Sequence, residues 1–319
     1  MSLLNFRRRE TPAPQTDALE AFLKGFSIEV MPRTAANVED FRDHLPKGTR
    51  VYIAHIEGTP IEDMVATAKR LRDEGYEPMP HFPARIIHDK PHFPARVIKS
   101  RAELADWLSR YKNEAGVRQA LLLGGGVSTP AGDFDSSMQM IGTGLFDGFD
   151  RLHVAGHPEG NKDIDPDGSD RMVLEALRWK QAFSTRTDAK MAIATQFCFE
   201  AAPVIAWADR LAAEGIELPI HIGVAGPAKL QTLIKFAIAC GVGPSLRVLQ
   251  KRAMDVTKLL LPYEPTDFVA ALADHKARHP GFGIEQVHFF PLGGIKTNAA
   301  WTIQHGGASG TPAAEGGAV

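Results

Sequence analysis

AIATQFCFEAAPVIAWADRLAAEGIELPIHIGVA, residues 192–225, reads as one complete strand–helix–strand unit. Its first and last segments, AIATQF (192–197) and PIHIGVA (219–225), are short, apolar and rich in β-branched residues, the pattern of strands buried on both faces. Between them PVIAWADRLAAEG spaces its apolar residues three and four apart, as a helix with one buried face requires. That helix closes on Gly215, the residue type that best adopts the left-handed conformation at a helix end. A strand returning after a helix pairs in parallel with the strand before it, so this unit alone predicts a parallel sheet covered by helices.

The same alternation extends in both directions. Upstream lie FSIEVM (26–31), RVYIAHI (50–56), EPMPHF (77–82), ALLLGG (120–125) and RLHVAG (151–156), and downstream VHFFPLG (287–293). With the first two, these make eight strand candidates, separated by amphipathic stretches such as IEDMVATAKRLRDEG and RAELADWLSRYKNEAG, several ending in Gly (Gly75, Gly215, Gly241). A count of eight favours closure into a (β/α)8 TIM barrel over an open doubly wound sheet, with the active site at the C-terminal ends of the strands. We expect a flexible N-terminal arm over 1–20, the barrel over 21–305 and a disordered tail over 306–319, whose small polar residues cannot bury a core. Between strands seven and eight the stretch from Gly243 to Pro265, with its apolar run VTKLLLPYEP, predicts an extra helix covering one end of the barrel.

Composition narrows the partners. In a chain of 319 residues, 36 Lys and Arg face 38 Asp and Glu, a net charge of −2 that gathers neither nucleic acid nor an anionic membrane. No apolar run approaches the roughly 18 residues of a membrane span. Arg7 to Arg9 lead into a polar, Pro-containing stretch rather than a signal-peptide core, so the expectation is a cytoplasmic protein acting on a small molecule. Self-association is left open. Cys198 and Cys240 lack disulfide or metal-ligand spacing, and no metal is expected.

Several polar residues fall where a barrel meets its ligand. Glu29 sits inside an apolar strand, where burial would raise its pKa and keep it a proton donor near neutral pH; a carboxylate paired with a barrel cation is the equal alternative. His81 and Gln196 end strands three and six, and each could instead be a hydrogen-bonded core residue. Gly124, Gly125 and Gly126 after strand four let backbone N–H groups approach a flat or phosphorylated ligand, although the run is neither a P-loop nor a dinucleotide fingerprint. His157, Asn161 and Lys162 follow strand five, while Arg178 and Lys180 lie on the next helix, where they could neutralise a diphosphate. The tandem HFPARIIHDKP and HFPARVIKS, from His81 and His92, lengthens the third βα loop and leads into a helix beginning near Arg101, either as a surface extension or as a lid.

In order, these pieces resemble the methylenetetrahydrofolate reductase family from about Phe26 to Gln304. FSIEVMPRT is similar to the family's opening strand, PMPHF to its PH(L/F) strand end, AGHPEGN to its GYPEGHP loop and ATQFCFE to its ITQ(F/L)FF(D/E) strand. The resemblance implies bound FAD, reduced by NADH or NADPH, that passes hydride to 5,10-methylenetetrahydrofolate to give 5-methyltetrahydrofolate. Glu29 would then be the general acid and Gln196 would hydrogen-bond the folate. His81, the Gly124–Gly126 backbone, His157, Asn161 and Lys180 would line the flavin site. The chain departs from the family where its RGD reads Gly124, Gly125 and Gly126, where Tyr and His of the GYPEGHP loop read His157 and Asn161, and where a Thr-Tyr pair reads Ala54 and His55. The departures gather on the flavin side. Two alternatives follow: direct hydride transfer to the same folate without flavin, and a non-redox tetrahydrofolate-binding barrel, either a methyltransferase or an inactive subunit.

Overall fold

A computed structural model describes residues 16–87, 96–127, 129–240, 243–254 and 262–307. In it β1 (Ser27–Val30), β2 (Arg50–Ile53), β3 (Glu77–Pro83), β4 (Gln119–Leu123), β5 (Arg151–Gly156), β6 (Lys190–Cys198), β7 (Ile220–Ala225) and β8 (Ile284–Phe290) pair in parallel in chain order. Ser27 and Ile28 of β1 pair with His288 and Phe289 of β8, which closes the ring. The chain is a (β/α)8 TIM barrel, and each of the eight expected strands overlaps its observed counterpart.

Successive strand residues point to opposite faces, and the two faces carry different chemistry. Ile28, Val51, Ile53, Leu122, Val154, Ile193, Ile222, Val224, Val287 and Phe289 belong to the large apolar cluster shared with the surrounding helices. The intervening residues Tyr52, Met79, Leu121 and Ala194 form a small separate cluster inside the ring. Much of the remaining interior is polar, whereas barrel interiors are usually filled with Val, Ile and Leu. Towards the N-terminal ends, Arg50 Nε donates to Gln119 Oε1 at 2.8 Å and Gln119 Nε2 donates to Glu77 Oε2 at 2.8 Å. Arg50 Nη1 reaches Gln286 Oε1 at 3.3 Å, so this buried guanidinium is matched as its desolvation demands.

The covering helices are α1 (Thr16–Leu23), α2 (Pro32–Ala35), α3 (Ile61–Asp73), α4 (Arg96–Ala115), α5 (Ser137–Ile141), α6 (Arg171–Ser184), α7 (Ala201–Ala213), α8 (Leu230–Ala239), α9 (Gly243–Ala253), α10 (Thr266–Arg278) and α11 (Ile295–Gln304). Helix α3 shows why they form: Met64, Ala68 and Leu71 make a buried stripe at helical spacing, while Lys69 and Asp73 pair at 2.6 Å on the open face. Its exit needs Gly75 at φ +94°, and α7 likewise exits through Gly215 at φ +73°. Among the described residues, no helix is long and apolar enough to cross a membrane.

Two boundaries differ from the sequence reading. Helix α1 enters the arm expected over 1–20, because Leu19, Phe22 and Leu23 of TDALEAFL share one face and bury it in the core. Helix α4 begins at Arg96 rather than near Arg101, absorbing the end of the second HFPAR copy; residues 88–95 lie outside the described set. In the first copy, Arg85 is woven into the loop after β4, donating to Asp135 Oδ1 at 2.9 Å and to the Val127 carbonyl at 3.3 Å. Between β7 and β8, α9 lies within the stretch from Gly243 to Pro265 where an extra helix was expected; residues 256–261 of its apolar run are outside the described set, as are Gly241 and residues 308–319 of the expected tail.

Candidate active site

At the C-terminal end of the barrel, one otherwise inward residue on each of six strands is only half-buried: Glu29, His81, Leu123, Ala155, Gln196 and Phe290. Their strand neighbours below are mostly sealed, so these six form the floor of the mouth. Glu29 and His81 are its ionisable members. His81 Nε2 lies 3.3 Å from Glu29 Oε2, and His288 Nε2 from β8 approaches the same oxygen at 3.6 Å. Both imidazoles address Oε2, and Oε1 accepts no hydrogen bond among the described residues.

This grouping reverses the expected direction of the Glu29 pKa. Burial does push the carboxyl up and is the largest single influence, but the His81 charge and the contacts of both imidazoles outweigh it and bring Glu29 down to about 2. Glu29 is therefore a carboxylate at rest rather than a burial-raised acid. His288 is also lowered, but there burial is the cause and outweighs the opposing Glu29 contact. Proton exchange at this carboxylate consequently belongs to the group of three side chains rather than to Glu29 alone.

Gln196 owes its position to an irregularity in the sheet. The β6–β7 register shifts between Ala194 and Phe197, a bulge that brackets Gln196. Thr195 Oγ1 donates to the Gln196 carbonyl at 2.9 Å and accepts from Gly223 N at 2.8 Å, which locks the irregularity. The Gln196 Oε1 accepts from Phe197 N at 3.2 Å, leaving its amide NH2 without a partner among the described residues. A side chain at Gly223 would bring Cβ within 2.5 Å of the Gln196 carbonyl oxygen. Gly223→Ala is therefore expected to destabilise the chain by about 1–3 kcal/mol and to displace Gln196 with the bulge. Chemical denaturation checks the first effect; an unchanged midpoint would mean that the bulge is not under this constraint.

A second group lies across the mouth. Gly124 and Gly125 follow β4 half-buried and Gly126 exposed, with Gly125 at φ +98° and no atom within 4 Å of where a Cβ would sit on Gly124 or Gly126. His157, after β5, has Asn161 Nδ2 3.5 Å from its Nδ1. Lys180 of α6 is 6% exposed and has no hydrogen bond or ion pair among the described residues. Burial alone lowers Lys180 to about 8, and burial followed by the Lys180 charge lowers His157 to about 4, with Asp170 opposing. The group is a neutral imidazole beside a buried cation that lacks an anion. The two other expected cations do not join it: Lys162 is exposed, and Arg178 pairs with Glu214 at 2.5 Å on the surface. Glu159, from the same β5 loop, accepts from Ser245 N at 3.0 Å and also bonds its hydroxyl, which ties the mouth to α9.

No family model matches the chain. Solved structures share its fold. The chain is similar to an uncharacterized protein from Clostridium thermocellum described as binding two copies of 5-methyl-5,6,7,8-tetrahydrofolic acid, at 10% identity and a TM-score of 0.53, over 91% of this chain and 98% of that one. At this identity the likeness is one of fold. A carboxyl transferase domain of Rhizobium etli pyruvate carboxylase, at 10% identity over 94% of this chain and 51% of that one, has a TM-score of 0.42 and bears on nothing further.

Sequence reasoning missed the interior histidines. His153, His221 and His288 are buried, and Tyr52 packs among them, its ring 4.2 Å from that of His288 and 5.8 Å from that of His153. The signal was present in LHVAG, IHIGV and VHFF, where a lone His alternates with helix-facing aliphatics and so must point into the ring.

Proposed function

We propose that this chain is an oxidoreductase of one-carbon metabolism that uses NADH or NADPH to reduce 5,10-methylenetetrahydrofolate to 5-methyltetrahydrofolate, or runs the reverse oxidation. The observation that carries this reading is the Glu29 carboxylate set between His81 and His288 on the mouth floor, with the free Gln196 amide on the same floor. The relative of known structure described as binding 5-methyltetrahydrofolic acid, the product of this reaction, supports it.

The chemistry needs a proton and then a hydride. Protonation of N10 lets the imidazolidine ring open, breaking the bond between N10 and the bridging carbon and leaving an iminium at N5; hydride then adds to that carbon as a methyl group. Glu29, through the oxygen that faces the mouth, is the proton donor. A pterin seated over the floor excludes water and strengthens the desolvation that already pushes Glu29 up, so that the carboxylate takes up a proton from solvent as the ligand binds. When the proton leaves, His81 and His288 stabilise the carboxylate left behind. The Gln196 amide donates to an acceptor on the pterin and orients it.

Lys180 is a buried cation in need of an anion, and both FAD and the nicotinamide dinucleotides carry a diphosphate, so the residues fit such a group. FAD, when bound, would supply hydride transfer between nicotinamide and folate; Lys180, His157, Asn161 and the Gly124–Gly126 backbone would hold it. Gly126, where the family has an acidic side chain, favours a second reading in which the nicotinamide itself delivers hydride to the folate. The visible spectrum of the purified protein separates these readings. Protein that is yellow and releases flavin on denaturation supports the first; colourless protein that still oxidises NAD(P)H with the folate supports the second. Absence of NAD(P)H oxidation with either nicotinamide and added FAD, despite folate binding, would overturn both in favour of a non-redox barrel. Gly126→Asp meets no steric obstacle and is expected to fold within about 0.5 kcal/mol of the parent while altering flavin retention. Unchanged flavin affinity and turnover would remove this position as the source of the divergence.

A further inference from the structure

Behind Glu29, the barrel interior carries polar side chains that the proposed chemistry does not use directly. Ser27 Oγ lies 3.0 Å from His288 Nδ1, and both residues are buried. Tyr52 Oη lies 2.5 Å from His153 Nδ1, and its ring packs on His288. Burying so many polar groups costs stability that apolar side chains would not, and their contacts run to one outlet, the carboxylate on the mouth floor. The two imidazoles that flank Glu29 are not equivalent. The His81 side chain is 12% exposed and reaches the mouth, whereas that of His288 is 2% exposed and does not.

We propose that His288, fixed from behind by Ser27 and Tyr52, is a positioning residue for Glu29, holding Oε2 inward so that Oε1 faces the ligand. The tautomer follows from the partners. A neutral His288 has one N–H, and a carboxylate in front of Nε2 requires that proton on Nε2; Nδ1 is then the acceptor and Ser27 Oγ–H the donor. Tyr52 Oη bonds His153 Nδ1 behind this pair while its ring lies against His288. Without the Ser27 hydroxyl the Nδ1 lone pair loses its donor, and the Glu29 contact at 3.6 Å, too long for a firm hydrogen bond, is left to favour the Nε2 proton. His288 is then free to place its proton on Nδ1, presenting a lone pair to Glu29 and loosening the carboxylate. This role rests on the proposed folate chemistry for its purpose, but the tautomer is a property of the unliganded chain.

The test is 15N NMR of the histidine side chains in the full, ligand-free chain, read beside turnover of 5,10-methylenetetrahydrofolate with NAD(P)H. Wild type is expected to hold His288 as the Nε2–H tautomer. Ser27→Ala is expected to shift it towards Nδ1–H and to lower kcat by about 10-fold with KM for the nicotinamide unchanged, and Ser27→Thr to restore both. Ser27→Cys, whose thiol is a weaker donor, is expected to move the tautomer in the same direction and serves should Ser27→Ala not fold. An Nδ1–H tautomer in wild type, or a tautomer unmoved in both variants, overturns the proposal. Absence of folate turnover in wild type would instead count against the functional reading, and the NMR result would still decide how His288 is held.

Discussion

Glu29→Gln is expected to lower folate turnover by about 10²–10⁴-fold, the usual contribution of a positioned general acid, because the isosteric amide keeps the packing but has no proton to give. Should the protein prove to bind flavin, its reduction by NAD(P)H is expected to survive, since Lys180 lies on α6 and His157 and the glycines on the loops after β5 and β4. Unchanged folate turnover would remove Glu29 from the chemistry, and loss of both half-reactions would contradict a role confined to the folate. The same variant carries a stability signature. A carboxyl whose pKa falls from 4.5 unfolded to about 2 folded contributes stability that is fully present above about pH 4.5 and is lost as pH falls towards 2. Glu29→Gln is therefore expected to flatten the acid limb of the stability–pH curve in that window, read as denaturation midpoints across pH.

Lys180→Met is expected to make the free protein more stable and any dinucleotide bind more weakly. Burial lowers this amine from 10.5 to about 8, so folding works against the charged form. The penalty is on the order of 3 kcal/mol below pH 8. It disappears as pH rises from about 8 to 10.5, where the unfolded chain holds a proton that the folded chain has released, so wild-type stability gains with pH across that range. Met keeps the apolar stem and removes the charge. A cation retained at such a cost and without an internal anion is best explained by a ligand that supplies one. Thermal denaturation at pH 7 and titration with NADH, NADPH and FAD read the two effects together. A destabilised variant with undiminished affinity for all three would show that Lys180 has a purely structural task.

The barrel was legible because strand and helix periodicities are local: each strand's helix-facing aliphatics and each helix's stripe can be read within a dozen residues. Glu29, His81 and Gln196 were legible as places for the related reason that polar residues at the ends of apolar strands must face the mouth. What they do to one another was not. The direction of the Glu29 pKa depends on His81, 52 positions away, and His288, 259 positions away, and only ring closure of β8 onto β1 brings the latter alongside. Lys180 was read as one of two helix cations; its burial, and the surface pairing of Arg178 with Glu214 on the end of α7, are decided by how α6 packs on its neighbours. The bulge at Gln196 likewise depends on Gly223 in the next strand, a contact without a signature in ATQF itself. The polar interior is the instructive miss, since strands buried on both faces were assumed apolar on both, and the alternation that singles out His153, His221 and His288 was read only for its aliphatics.

The most direct test of the central claim is to react the purified chain with 5,10-methylenetetrahydrofolate and NADH or NADPH carrying deuterium at the transferable C4 position, and to weigh the folate product. A 5-methyltetrahydrofolate product is predicted. Its methyl group keeps the deuterium if nicotinamide delivers hydride directly, and loses much of it to solvent if the hydride passes through the exchangeable N5–H of a reduced flavin. A reaction that consumes neither nicotinamide and forms no methyl product, with or without FAD, would contradict the account.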